Sequence, residues 1–190
     1  ARPVETAPEP PTWRITLLAG PAFQDYGAAR LDTSATTEFG MVAGRIYGAG
    51  RVALETGAAA LFASIAYDDL AADGSIDERR AWFSNVLGRA ALRVRISDSL
   101  SVAPAIGAGL SLLSGASARS VFFTAPDAFE TEGVFAMPIV RSEIELELRV
   151  FGPVHASLFP LAYDWSPRIA AFTTEDLRPV TRLHFAVGLG

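Results

Sequence analysis

VFAMPIVRSEIELELRV, residues 134–150, decides the fold. One alternate set runs Val134, Ala136, Pro138, Val140, Ser142, Ile144, Leu146, Leu148 and Val150. The other runs Phe135, Met137 and Ile139 and then Arg141, Glu143, Glu145, Glu147 and Arg149. A period of two kept over this length is a β-strand with one face in an apolar medium and one polar face. A helix would scatter the same charges around its circumference. The strand is also far longer than the ~5–6 residues usual in globular proteins. Two settings accommodate it: a large soluble barrel or sandwich, or a barrel with lipid outside and a polar lumen inside.

The same alternation recurs on both sides of this stretch. Before it, strands are expected at 12–23, 35–47, 51–67, 81–97 and 99–114. After it, they are expected at 154–163 and 177–190. In 81–97, Val86, Ala90, Leu92 and Val94 oppose Asn85, Arg89, Arg93 and Arg95. The Ala-rich segment 58–66 has helical propensity, but its flanks alternate and the strand reading is kept. Arg45 falls on the apolar face of its strand, a misfit unless it lies near an interface and snorkels. In 154–163, His155, Ser157, Phe159, Leu161 and Tyr163 are expected on the polar face.

The connections sort into two kinds. Those at 48–50, around Asp98, and at 151–153 are tight turns; those at 24–34, 68–80, 115–133 and 164–176 are long. Long and short connections in alternation describe an up-and-down antiparallel meander of eight strands. All short turns then lie at the end shared by both termini. A strand that spans lipid needs ~9–11 residues, and each candidate supplies that. The fold class expected is therefore all-β: an eight-stranded antiparallel up-and-down transmembrane β-barrel over 12–190, after a Pro-rich tail at 1–11.

With this layout and its closing TRLHFAVGLG, residues 181–190, the chain resembles the small eight-stranded outer-membrane barrels of the OmpA/OmpX/OmpW type. The resemblance covers about residues 12–190 and is architectural. It implies the bacterial outer membrane as location and the lipid bilayer as partner, with envelope proteins as contacts through the loops. It also implies a monomeric barrel or a subunit of a larger assembly. Such barrels end on an aromatic residue in phase with the apolar face; here Leu189 is in phase and Gly190 follows it.

Composition narrows the function classes. Half of the residues are hydrophobic, mean hydropathy is +0.27 and the net charge is −5. All 16 basic residues are arginine. No basic run or basic–aromatic cluster exists, which argues against nucleic acid as a partner. Cysteine is absent, so disulfides, thiolate metal sites and cysteine nucleophiles are excluded. The opening ARPVETAPEPP suits a mature exported chain or an ordinary polar tail. The uncharged run 99–118 has the length of a membrane helix, but its Pro, Gly and Ser content and its period of two favour a strand.

The candidate site is the polar face. Glu38, Glu55, Arg89, Arg93, Arg95, Arg141, Glu143, Glu145, Glu147, Arg149 and Arg182 fall on it, with Arg14 from the first strand. An eight-stranded barrel has an interior just wide enough for side chains. Charges enclosed there must be paired. The expected arrangement is an interlocking Arg/Glu plug; the alternative is a narrow ion path gated by the same pairs. Glu143, Glu145 and Glu147 at two-residue spacing also fit a cation site or an acid–base pair, but neighbouring arginines favour ion pairing. His155, His184 and Ser157 share that face. A barrel hydrolase would use such residues at the lipid face or outer rim, so no enzyme, cofactor or metal is expected.

Aromatic residues gather at both strand ends: Trp13, Tyr47 and Phe151 at the turn end, and Phe23, Tyr26, Tyr67, Trp82, Tyr163 and Trp165 at the loop end. Two belts are an interfacial signature. Phe122, Phe123 and Phe129, together with 68–80, are the loop contact candidates. The leading functional expectation is a structural or adhesive envelope barrel, or an accessory subunit, acting through its loops. A narrow channel for ions or small solutes is the alternative, and a soluble lipocalin-like carrier a further one.

Overall fold

The computed structural model describes residues 12–25, 36–48, 50–70, 75–115, 135–166 and 180–189. Its strands are β1 (Thr12–Asp25), β2 (Thr36–Tyr47), β3 (Val52–Leu70), β4 (Ile76–Arg95), β5 (Leu100–Ser114), β6 (Phe135–Phe151), β7 (Val154–Ser166) and β8 (Val180–Leu189). Each pairs antiparallel with the next, and β8 pairs with β1 to close the barrel. The expected order and topology are those observed. The Ala-rich middle of β3 is strand throughout, because both neighbours supply ladder partners along it.

The alternation sorts side chains as a membrane wall does, with the polar set inside. Ile15, Leu17, Leu92, Ile106, Leu110 and Leu148 are exposed on the outer face. Arg14, Glu38, Glu55, Arg89, Arg141 and Glu145 are buried within. A soluble barrel reverses this arrangement. Aromatic residues stand outward at both rims: Trp13, Tyr47 and Phe151 at the turn end, Trp82, Tyr163 and Trp165 at the other. Arg45 lies on the outer face against two of them, its Cζ 5.9 Å from the Trp13 ring centre and 5.6 Å from that of Tyr47.

Room for the interior charges comes from glycine. Across the register, Arg14, Gly44, Gly57, Arg89, Gly107 and Arg141 stand abreast. Large cations therefore alternate with positions that have no side chain, as small barrels require of their inner layers. A Cβ on Gly44 would lie 2.9 Å from Glu55 Oε1, in space the carboxylate uses. A Cβ on Gly57 would strike the Ala43 carbonyl and come within 2.5 Å of the Gly44 Cα. Both obstacles are backbone, so two strands would have to part. Gly57→Ala is expected to lower stability by about 1–3 kcal/mol. Gly88→Ala, on the outer face with its nearest neighbour 3.8 Å away, should leave stability unchanged. Denaturant midpoints of the refolded barrel compare the two.

Three expectations need correction. Residues 68–80 were expected as a long loop. Instead the β3–β4 ladder continues through Asp68↔Glu78 to Leu70↔Ile76, leaving 71–75 as the connection. Backbone pairing needs no apolar face, so the hairpin runs on where alternation stops. β2 pairs with β3 only as far as Glu38↔Ala63, and β5 meets β4 only as far as Trp82↔Ser114. The hairpin therefore stands about 20 Å beyond its described neighbours, at ~3.3 Å per residue.

The second correction concerns β7. Ile144↔Leu161 and Leu146↔Leu158 are consecutive pairs across β6 and β7, so Phe159 and Pro160 together face Glu145. This is a β-bulge, and Pro160, which has no N–H for the ladder, belongs at one. The extra residue flips the alternation beyond it. Ala162 and Asp164 turn inward, whereas Leu161 and Tyr163, expected on the polar face, turn outward. The third is that 164–176 does not begin as a connection, since β7 extends to Ser166.

Candidate functional site

The polar faces of β1 to β4, β6 and β7 meet in the lumen as one connected set of ion pairs. Glu145 is its centre and is fully buried. It accepts hydrogen bonds from both terminal nitrogens of Arg14, from Arg89 Nη2 at 3.1 Å and from Arg93 Nη2 at 3.4 Å. Ser157 adds a fourth donor residue, its Oγ at 2.7 Å. Glu55 lies on the opposite wall and takes Arg89 Nη1 at 2.7 Å and Arg93 Nε at 2.6 Å. Glu147 pairs with Arg14 Nε and Arg93 Nη1, each at 2.8 Å.

A second group occupies the loop-side half. Arg141 Nε donates to Glu143 at 2.8 Å, while its terminal nitrogens reach Asp164 at 3.3 Å and Glu38 at 3.4 Å. Glu143 also accepts from Arg89 Nε at 2.6 Å. Arg89, which reaches Glu55, Glu143 and Glu145, thus ties the two groups together. Each guanidinium is a rigid planar fork with five donors, suited to bridging several carboxylates at once. A lysine ammonium has neither the reach nor the fork. Beside this set lies an apolar cluster in which Leu18, Val42, Ala59, Leu61, Leu87, Ile139 and Phe159 pack together.

Of the expected site residues, the structure brings together Glu38, Glu55, Arg89, Arg93, Arg141, Glu143, Glu145 and Glu147, with Arg14. It does not bring in Arg95 or Arg149. Both have the right alternation, but each lies beside a short turn and is exposed. Alternation gives the face of a residue and not its depth. Arg182 stands opposite Asp164 in the β7–β8 register, and its side chain lies outside the described part. The side chain of His184 does also. Phe122, Phe123 and Phe129 lie outside the described residues. Asp164 was missed, because the flip at Pro160 that turns it inward breaks the alternation used to find polar faces. A proline in mid-strand was the available signal.

The arrangement holds charge and does not activate a nucleophile. Ser157 donates a hydrogen bond to Glu145, a carboxylate already neutralised by three guanidiniums, so that carboxylate is a poor base. His155 Nε2 lies 3.9 Å from Glu147 Oε1, beyond a hydrogen bond, and faces the turn end of the lumen.

Wall, belts and filled lumen together define the class: an eight-stranded membrane-type β-barrel with its polar face turned inward. No family model matches the chain, and no curated protein matches it. Among solved structures it is similar to the crystal structure of Ail, the attachment invasion locus protein of Yersinia pestis. That similarity has 15% identity, a TM-score of 0.49, and covers 94% of this chain and 95% of that one. A second similarity is to the backbone structure of the Yersinia pestis outer membrane protein Ail in a phospholipid bilayer nanodisc. It has 11% identity, a TM-score of 0.35, and covers 92% of this chain and 98% of that one. Neither likeness is strong enough to carry function across.

Proposed function

We propose that the protein is an outer-membrane β-barrel of the cell envelope that carries no solute and acts from its loop end, as a structural or adhesive component or as an accessory subunit. The observation that supports this most is the lumen. Four arginines and six carboxylates, all buried, cross-link its walls from β1 to β7. Buried charges this densely paired are costly to separate, so they fill the barrel as a plug and not as a conduit. Membrane location follows from the inverted wall and the two aromatic rims, and from closure, which leaves no open sheet edge in lipid. The overhanging β3–β4 hairpin supports a contact role. Its strands continue past the last ladder pairs with β2 and β5, and strand edges of this kind can accept an added strand. Phe122, Phe123 and Phe129 lie in the connection between β5 and β6, at the same end.

The test is reconstitution. The chain should refold into lipid vesicles and run as a heat-modifiable band. In a planar bilayer it should then show no unit conductance steps. Solubility without detergent would overturn the membrane reading, and a steady single-channel conductance would replace the plug with the channel.

A further inference from the structure

We propose that the outer wall carries a phospholipid site near the turn end, in which Arg45 binds the lipid phosphate and a neighbouring groove holds an acyl chain. The site rests on the membrane reading above.

The groove is made by side-chain size. Across the register, Trp13, Arg45, Thr56, Ala90 and Ile106 form one outward row. The next outward row toward the loop end is Ile15, Ala43, Ala58, Gly88 and Ala108. Trp13, Arg45 and Ile106 flank the first row and Ile15 opens the second, while small residues fill the rest. The wall therefore sinks over β3, β4 and β5, where the Gly57, Gly88 and Gly107 backbone is part of the lining. The depression has a volume of about 760 Å³ and is open along its side. So shallow a depression encloses no whole molecule, but it suits a chain laid along it whose remainder stays in the bilayer.

Arg45 supplies the charge at the rim of this groove. The rings of Trp13 and Tyr47 hold its guanidinium, and its buried Nε has no hydrogen-bond partner. Among the described residues it makes no ion pair. The carboxylates with described side chains on these strands, Glu38, Glu55, Glu143, Glu145, Glu147 and Asp164, all point inward. An apolar stretch of wall therefore carries a fixed cation for which no described carboxylate is the counter-charge. A second copy of the barrel would bring the same stretch of wall, which among the described residues offers no carboxylate to match. A phosphodiester brings two acceptor oxygens, the geometry a guanidinium fork fits. Arg45 lies three residues before Gly48, where the chain turns with φ 101°. Tilted strands place it about 8 Å above that turn, at headgroup-to-glycerol depth. The acyl chain then lies along Ala90, Gly88 and Ala108.

Native mass spectrometry of the folded, detergent-purified barrel titrated with phosphatidylglycerol tests the site. One lipid should be retained preferentially. Arg45→Gln should weaken retention at least tenfold, and Gly88→Leu, which fills the groove with Arg45 intact, should do the same. Arg51→Gln, an exposed arginine at the adjacent turn, should leave it unchanged. Diacylglycerol, which lacks the phosphate, should not be retained. Equal loss in Arg51→Gln, retention in Arg45→Gln, or equal binding of diacylglycerol would overturn the site. A dimer abolished by Gly88→Leu would overturn it in favour of a second copy. Each variant is first shown to be heat-modifiable and to insert into phosphatidylcholine vesicles, so that failure of the membrane reading is recognised separately.

Discussion

Glu145→Gln is expected to destabilise the barrel by about 3–5 kcal/mol, the loss typical when one partner of a buried ion pair is removed. The substitution keeps the shape of the side chain and deletes only its charge. Arg14, Arg89 and Arg93 all donate to this carboxylate. None of them can discard its own charge, because a guanidinium does not give up its proton in proteins. Three cations are left with one anion fewer, in a space without bulk water to shield them. Equilibrium unfolding of the refolded protein in guanidinium chloride, with the native chain alongside, reads the difference. A change under about 1 kcal/mol would mean that water reaches the lumen freely enough to replace the carboxylate.

Arg141→Met is the second large effect, again about 3–5 kcal/mol. Here Glu38, Glu143 and Asp164 lose a shared cation. The informative measurement is the combination. Residues 141 and 145 stand four apart on β6, about 13 Å at ~3.3 Å per residue, and they share no direct partner. Glu145→Gln and Arg141→Met should therefore add to within about 0.5 kcal/mol. Arg14→Met and Glu145→Gln remove two ends of one contact and should fall short of their sum by about 1–3 kcal/mol. Strong coupling in the first pair would show that the lumen responds as a single unit and not as two groups joined through Arg89.

Much of this was legible in the sequence, for a definite reason. A closed barrel leaves every strand with one face in each medium, so alternation survives in all of them. The rows of β1 to β6 could be read directly from residues such as Arg89 against Ala90, or Glu145 against Ile144. What alternation does not encode was lost. It carries no depth, so Arg95 and Arg149 were placed with the network although they stand at the rim. It assumes a constant period, so the bulge at Pro160 hid Asp164 and put Tyr163 on the wrong face. It also registers only chemistry and not backbone pairing, so the polar stretch 68–80 reads as a loop although it continues the hairpin. Arg45 was legible as a misfit, and its Trp13 and Tyr47 neighbours became visible only once the strands were set side by side.

The bond between Arg14 and Glu145 has a consequence for how the molecule comes to be. It joins residues 131 positions apart, from the first strand and the sixth, across the width of the barrel. No single hairpin can form it, and neither can a half-built sheet. Until the ends of the chain meet, Arg14 stands apart from Glu145 and Glu147, its partners on β6. Contacts that close such long loops make folding slow. They also leave partial intermediates with little stability of their own. Insertion is therefore expected to be all-or-none, with the seam between β1 and β8 as the final event and the lumen charges as the reward for completing it.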